Sequence, residues 1–161
     1  MGCLVAMKRA GIARGLILAP LLLCGILHAG PAVAQTTVVP VSNLRFGELL
    51  QGIPERVAPD DASASAEIRV TGKGRMTLVV ALPASVMSPG GNSIPVQFAA
   101  NDALYRIGTG EMQAFDPRSP LTVTVPGSSG AITLFVGGTV SPSSLQAPGN
   151  YTATITVQAF E

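Results

Sequence analysis

The chain has 161 residues, of which 47% are hydrophobic and 12% charged, and its net charge is +1 at neutral pH. Its only histidine, His28, and both cysteines, Cys3 and Cys24, lie within the first 34 residues. A chain that has lost this segment contains no cysteine and no histidine, so disulfides, thiol chemistry and imidazole catalysis are excluded for it. Seven basic residues then remain against nine acidic ones, a net charge of −2 that offers no basic patch for nucleic acid or anionic lipid.

Residues 1–34 have the pattern of a secretory signal peptide. Basic residues come first, residues 15–30 are apolar, and Ala32-Val33-Ala34 is a small-residue cleavage site. The apolar run is short for a membrane span, which needs about twenty residues. The sequence therefore predicts an exported chain that begins at Gln35, carries no transmembrane segment and reaches the periplasm and then the cell surface.

Two alternatives concern this leader. Met7 is a second possible start. A lipoprotein, with Cys24 as the modified residue, is the competing interpretation, but the bulky Leu23 before it fits lipoprotein processing poorly.

After the leader, apolar and β-branched runs alternate with clusters of Gly, Pro, Asn and Ser, as in an all-β sandwich or barrel. No long segment has helical periodicity. The predicted strands are Thr36–Val41, Leu44–Phe46, Ala66–Val70, Met76–Leu82, Ile94–Ala99, Leu121–Val125, Ala131–Val136 and Tyr151–Phe160. The sequence places a hairpin turn at residues 72–74 and another turn at 126–130, and it leaves residues 101–120 the least certain.

The candidate chemical motifs are weak. Glu55, Asp60 and Asp61 match no calcium loop, so a solvated acidic loop is favoured over a metal site. No histidine or lysine pair is placed to activate a serine. A hydrolase with two carboxylates would have to use Asp102, Glu111 or Asp116. The sequence thus predicts neither an enzyme nor a cofactor.

Several motifs follow one another in a recognisable order. They are Leu44-Arg45-Phe46-Gly47, the strand from Ala66 to Gly72, Leu134-Phe135-Val136-Gly137-Gly138-Thr139-Val140, and Gln146-Ala147-Pro148-Gly149-Asn150-Tyr151. In this order the chain resembles the fimbrial-like domain family of unknown function found in exported proteobacterial proteins, which is related to spore coat protein U and chaperone–usher pilin subunits. The resemblance covers about Leu44 to Glu161.

The resemblance implies an immunoglobulin-like antiparallel β-sandwich, pilin-like and possibly lacking one strand. It implies a structural or adhesive subunit whose groove is filled first by a periplasmic chaperone, with an outer-membrane usher, and then by the N-terminal segment of another copy or a related subunit. Residues 35–43 would be that segment, with Thr37, Val39 and Val41 on its donor face, and residues 44–161 the sandwich. Candidates for the terminal strand and groove are Gly149, Tyr151, Ile155, Val157 and Phe160.

Two features leave an alternative open. Phe160 is out of phase with Tyr151, Ile155 and Val157, so either a bulge resets the register or this aromatic stays outside the groove. Pro40 also removes one ladder donor from the N-terminal segment. In the alternative interpretation, the N-terminal segment is the domain's own first strand and pairs within its own chain. The alternative is a self-complete monomeric secreted module for a carbohydrate or surface ligand, for which Tyr105 and Phe115 are the available loop aromatics.

Overall fold

The computed structural model describes residues 36–161, and its elements in that range are ten β-strands. The strands are β1 (Thr37–Ser42), β2 (Glu55–Val57), β3 (Ala66–Ala81), β4 (Ser85–Met87), β5 (Ser93–Gln97), β6 (Ala103–Ile107), β7 (Gln113–Phe115), β8 (Leu121–Val136), β9 (Gly138–Val140) and β10 (Thr156–Phe160). The predicted leader, which includes Cys24, and the predicted first residue of the exported chain, Gln35, lie outside the described residues.

The strands form two antiparallel sheets. The first has the order β1-β3-β8-β6-β7, with β10 also paired to β3, and the second has the order β2-β9-β5-β4. Buried side chains from both sheets, such as Leu78 and Leu134 from the first and Ile94 and Val140 from the second, form one hydrophobic cluster. The architecture is therefore the predicted immunoglobulin-like β-sandwich.

The two long strands β3 and β8 form the centre of the first sheet. Every even-numbered position of β3 except Gly74 is buried, among them Ile68, Val70 and Leu78, while most of the intervening side chains are exposed. This period of two places one face of the strand in the core, and burying each such side chain contributes about 1.5–3 kcal/mol.

The predicted turns in these two strands are wrong. Residues 72–74 do not reverse the chain: Gly72 pairs with Gly130 and Gly74 with Val125, so β3 continues straight through a register irregularity. Residues 126–129 are the extra length of β8 at the same place. A glycine-rich segment is compatible with a turn or with a bulge, and here the long partner strand selects the bulge.

Other predicted boundaries also change. Residues 44–46 form no strand, and the terminal strand begins at Thr156 rather than Tyr151. Residues 151–155 are irregular apart from a single bridge between Met87 and Thr152. The region left uncertain, residues 101–120, supplies β6 and β7.

Strands β1 and β10 lie end to end on the same edge of β3. Strand β1 pairs with residues 67–71 and β10 with residues 77–81, both antiparallel to β3. The end of β10 therefore meets the start of β1, and the Thr36 hydroxyl donates a hydrogen bond to the Glu161 carboxylate. One edge of the sheet is thus completed by the two ends of the described chain.

Candidate assembly site

Strand β1 adds to the sheet edge without burying its side chains. It pairs with β3 from Thr37↔Thr71 to Ser42↔Glu67, with a register shift between Pro40 and Ser42. Every side chain from Thr37 to Val41 is exposed, and Val41 reaches 53%. The strand is held mainly by its backbone ladder.

The three predicted donor-face residues do not face the core in this arrangement. Thr37 and Val39 lie opposite Thr71 and Arg69, which are exposed, and Val41 falls in the register shift. The positions opposite the buried Val70 and Ile68 are Val38 and Pro40. Sequence alternation alone did not decide between the two faces, because residues 38–41 put apolar side chains on both.

At the other end of this edge, Val157 and Ala159 lie opposite the buried Val80 and Leu78 and pack against the core. Phe160 lies opposite Thr77 and is 53% exposed. Of the two predicted possibilities for Phe160, the structure shows the second: no bulge resets β10, and the aromatic ring stays outside the core.

A groove of about 1520 Å³ lies beside β1, between the two sheets. Side chains of β3, β4 and β5 line its floor, including Ile68, Val86 and Ile94. Two irregular segments, residues 43–51 and 146–155, run along it. Of the predicted groove residues, Gly149, Tyr151 and Ile155 line this space, whereas Val157 and Phe160 do not.

Hydrogen bonds hold residues 146–151 in a defined turn and join this part of the chain to residues 51–52. The Tyr151 hydroxyl donates to the Ala147 carbonyl at 2.6 Å and accepts from the Gln146 amide at 2.8 Å. The Gln51 amide donates to the Gln146 carbonyl at 2.6 Å, and the Gly52 N–H donates to Ser143. The motif from Gln146 to Tyr151 is therefore a local clamp on the groove wall.

The role of segment 43–51 was missed by the sequence interpretation. Leu44, Phe46 and Leu49 are partly buried against the core instead of forming a strand. The spacing of apolar residues gave a signal of burial, but no signal that their backbone would be irregular.

The paired glycines after β8 have a packing role. A Cβ on Gly137 would fall far inside van der Waals contact with the Val57 carbonyl and 2.8 Å from the Pro59 nitrogen. A Cβ on Gly138 would lie 3.0 Å from the Phe98 ring. Both glycines therefore allow β2 and β5 to approach β9 closely.

The acidic residues considered for catalysis are engaged separately. Asp102 is 2% exposed; it accepts hydrogen bonds from Arg56 at 2.8 Å and from the Ala99 N–H at 2.8 Å. Asp116 binds Arg118 through both carboxylate oxygens. The Arg118 side chain, with its backbone N–H, holds the pKa of Asp116 below its usual range. Through its bonds to Arg56 and to the Ala99 N–H, Asp102 joins β2 to the loop before β6.

The predicted acidic loop and the loop aromatics are also placed. Asp61 accepts hydrogen bonds from the hydroxyl and N–H of Ser63, which lower its pKa. Among residues 36–161, no three Asp, Glu, His or Cys side chains cluster as metal ligands. Tyr105 and Phe115 form an edge-to-face pair with ring centroids 5.9 Å apart and pack against the core. These rings are not a free, flat sugar platform.

Comparison with known proteins gives a family but no activity. Residues 55–160 match the model of a family described as a domain of unknown function, DUF4402. No curated protein matches the chain. The matched region begins at β2 and ends with β10, so it leaves out β1 and the segment after it. Within residues 36–161, no helix is long and apolar enough to cross a membrane.

Proposed function

We propose that this chain, which belongs to the DUF4402 family, is an exported subunit of a fimbria-like or coat-like surface assembly. In this proposal, β1 of one copy leaves its own β3 edge and pairs with the β3 edge of the next copy. The assembled protein has a structural or adhesive role. The relationship to pilins and spore coat protein U that the motifs imply is part of this proposal.

The observation that carries the proposal is the exposure of β1. Five consecutive side chains, from Thr37 to Val41, are exposed although the strand is fully paired on one side. Leaving the edge therefore costs mainly backbone hydrogen bonds, each with a net contribution of about 0.5–1.5 kcal/mol. The same bonds form again on the neighbour, so exchange is nearly neutral within one pair and is driven by local concentration.

Two further observations agree with this role for β1. The family match begins at Glu55, so β1 lies outside the matched residues. The groove next to β1 is lined by apolar residues that are only partly buried, such as Val86 and Ile155, and a strand that enters it could cover them. Once β1 leaves, its part of the β3 edge is unpaired and favours aggregation unless another chain covers it. A periplasmic chaperone would cover it before assembly, and an usher would present it afterwards.

A second function is favoured by one specific observation. Strand β1 pairs with β3 of its own chain in this structure, as a self-complete module requires. In that case the groove of about 1520 Å³ is a ligand site on a secreted monomer. The ligand would be a carbohydrate or another surface molecule.

The two functions are separated by electrophoresis of the cell-surface fraction in SDS, with and without boiling. The assembly proposal predicts a ladder that survives cold SDS and collapses on boiling, because strand-exchanged subunits are held without covalent bonds. A single band of monomer size under both conditions would contradict assembly and support the self-complete module.

A matched pair of substitutions tests whether β1 makes the contact. Val38→Glu places a charge opposite the buried Val70, whereas Val39→Glu places the same charge opposite the exposed and oppositely charged Arg69. We expect a weaker ladder from Val38→Glu than from Val39→Glu. Equal ladders from both variants would contradict the exchange of β1.

A further inference from the structure

Basic side chains gather on the first sheet although the described chain is acidic overall. The strands of this sheet carry Arg69, Lys73 and Arg75 on β3 and Arg106 on β6, against one acid, Glu67. The other acidic residues between 36 and 161 lie in loops, in β2 or at Glu161. The net charge of the described chain does not reveal this basic sheet, because most of the acidic residues lie outside its strands.

Two of these arginines flank one position of β8. Arg69 and Arg106 are both register partners of Thr133, one from each side. Neighbouring strands are about 4.8 Å apart, so the two arginine Cα atoms are separated by about 10 Å across the sheet. They share the face of the sheet that is turned away from the core, since their neighbours Val70 and Ile107 in sequence point inward.

Arg106 is held in a defined position on this face. Its guanidinium carbon lies 5.6 Å from the centroid of the Phe135 ring, and Phe135 is only 8% exposed. Stacking of this kind fixes the plane of the guanidinium and directs its N–H groups sideways.

The Nε atom of Arg106 is buried and has no hydrogen-bond partner among the described residues. A buried donor without an acceptor is unfavourable, and such atoms often mark the place of a missing water or ion. The ion pairs within residues 36–161 involve Arg56 and Arg118, so neither Arg69 nor Arg106 has a carboxylate within 4.0 Å. Glu67, two residues from Arg69 on the same face, forms an ion pair with neither arginine.

We infer that Arg69 and Arg106, with Thr133 between them, form a binding site for a carboxylate or sulfate group. An oxyanion above Thr133 would accept from the terminal N–H groups of Arg106 on one side and from Arg69 on the other. Arg106 supplies a fixed donor array, and Arg69, which is exposed, closes over the anion. The group is either a free anion or the acidic substituent of a saccharide, which have the same chemistry at this site. The site does not depend on β1 exchange.

The direct test is an NMR titration of the ¹⁵N-labelled full-length chain, following arginine Nε–Hε signals. Sodium sulfate and sodium acetate are added in exchange for sodium chloride at constant ionic strength. We expect the Arg106 signal to move and reach saturation with both anions. The absence of a saturable change at Arg106 would overturn the inference.

Matched variants distinguish a site from general attraction to a positive surface. Arg69→Gln removes one half of the site, and Arg75→Gln removes another exposed charge from the same strand, where the β8 partner is Thr124. We expect Arg69→Gln to weaken the apparent affinity about tenfold and Arg75→Gln to leave it nearly unchanged. Equal weakening by both variants would overturn the inference.

A third arm identifies the source of the anion. Oligogalacturonate, a chain of carboxylated sugars, is titrated at the same concentration of carboxylate as acetate. Tighter binding of the oligomer, abolished by Arg106→Gln, upholds the site and assigns it to an acidic saccharide. Equal binding of the two upholds the site as one for a free anion. Oligomer binding that Arg106→Gln leaves unchanged would contradict the inference.

Discussion

Gly137 shows how a single residue type is required by close backbone packing. It lies between β8 and β9, and a side chain there would collide with the Val57 carbonyl and the Pro59 nitrogen. We predict that Gly137→Ala lowers the free energy of unfolding by about 3 kcal/mol, because backbone must move to accept the methyl group. Urea denaturation measures this as a lower midpoint at an unchanged slope.

The control for this substitution is Gly90→Ala. A Cβ on Gly90 would be 3.7 Å from its nearest neighbour, an ordinary contact. We expect a change within about 0.5 kcal/mol, as for most surface substitutions. If the two variants were equally stable, the close approach at Gly137 would be wrong.

The Tyr151 hydroxyl joins the two ends of the turn that precedes it. It donates to the Ala147 carbonyl and accepts from Gln146 in a half-buried position. We predict that Tyr151→Phe lowers the free energy of unfolding by about 1 kcal/mol through loss of these bonds. Thermal unfolding checks it, with Tyr105→Phe as the control, since the Tyr105 hydroxyl bonds Gln113 at an exposed site. A larger loss from Tyr105→Phe would contradict the clamp.

The Asp116–Arg118 pair predicts a pH dependence of stability. Hydrogen bonds from Arg118 lower the pKa of Asp116 in the folded protein below 3.8. A depressed folded pKa means that the stabilisation is present above the unfolded pKa and is lost as pH falls through the folded pKa. Urea midpoints measured from about pH 5 down to about pH 2 should therefore fall less steeply for Asp116→Asn than for the natural chain.

The corresponding variant in the acidic loop is Asp61→Asn. In the natural chain, hydrogen bonds from Ser63 lower the pKa of the Asp61 carboxyl group. We expect a change of slope in the same direction. Identical slopes for the natural chain and for Asp116→Asn would show that the pair does not persist in solution.

At the scale of single elements, β1 and β10 occupy the same edge of β3 but are attached differently. Side chains of β10 pack against the core at Val157 and Ala159, whereas those of β1 from Thr37 to Val41 are exposed. We predict that backbone amides of β1 exchange with solvent fastest, those of β10 more slowly, and those of β8 around Leu134 slowest. Protection of β1 equal to that of β8 would contradict a releasable strand.

Periodicity predicted the positions of several strands better than their extents. The strands predicted at β1, β5 and both halves of β3 are confirmed as strands. Periodicity failed at Gly72 and Gly74, because a turn and a bulge have the same local chemistry and only the partner strand β8 distinguishes them. It also extended the last strand to Tyr151, because alternation describes side-chain direction and does not show whether a partner is present.

At the scale of the whole molecule, the sequence predicted the sandwich but not the surfaces that the sandwich creates. The groove is made by segments about one hundred residues apart, and the arginine pair requires β3 and β6 to flank β8. Neither association can be read from spacing along the chain. The strand at the start of the described residues, in contrast, was predicted from the sequence, although the residues opposite buried positions of β3 are Val38 and Pro40 rather than Thr37, Val39 and Val41.

The central claim, that β1 pairs with β3 of another copy, is tested most directly by disulfide trapping. Thr37 and Thr71 lie opposite each other across β1 and β3, at a separation suited to a disulfide. The matched pair is Thr77 and Thr122, opposite each other across β3 and β8, which stay in one chain in either arrangement. Each pair is changed to cysteine, oxidised in the cell-surface fraction and boiled in SDS, with single-cysteine variants as background controls.

The assembly account predicts that Thr37→Cys with Thr71→Cys gives a ladder of covalent multimers that a reductant collapses. Thr77→Cys with Thr122→Cys should give only monomers closed on themselves. If the Thr37 and Thr71 positions also close within each chain in the surface fraction, β1 remains on its own sheet and the claim is contradicted.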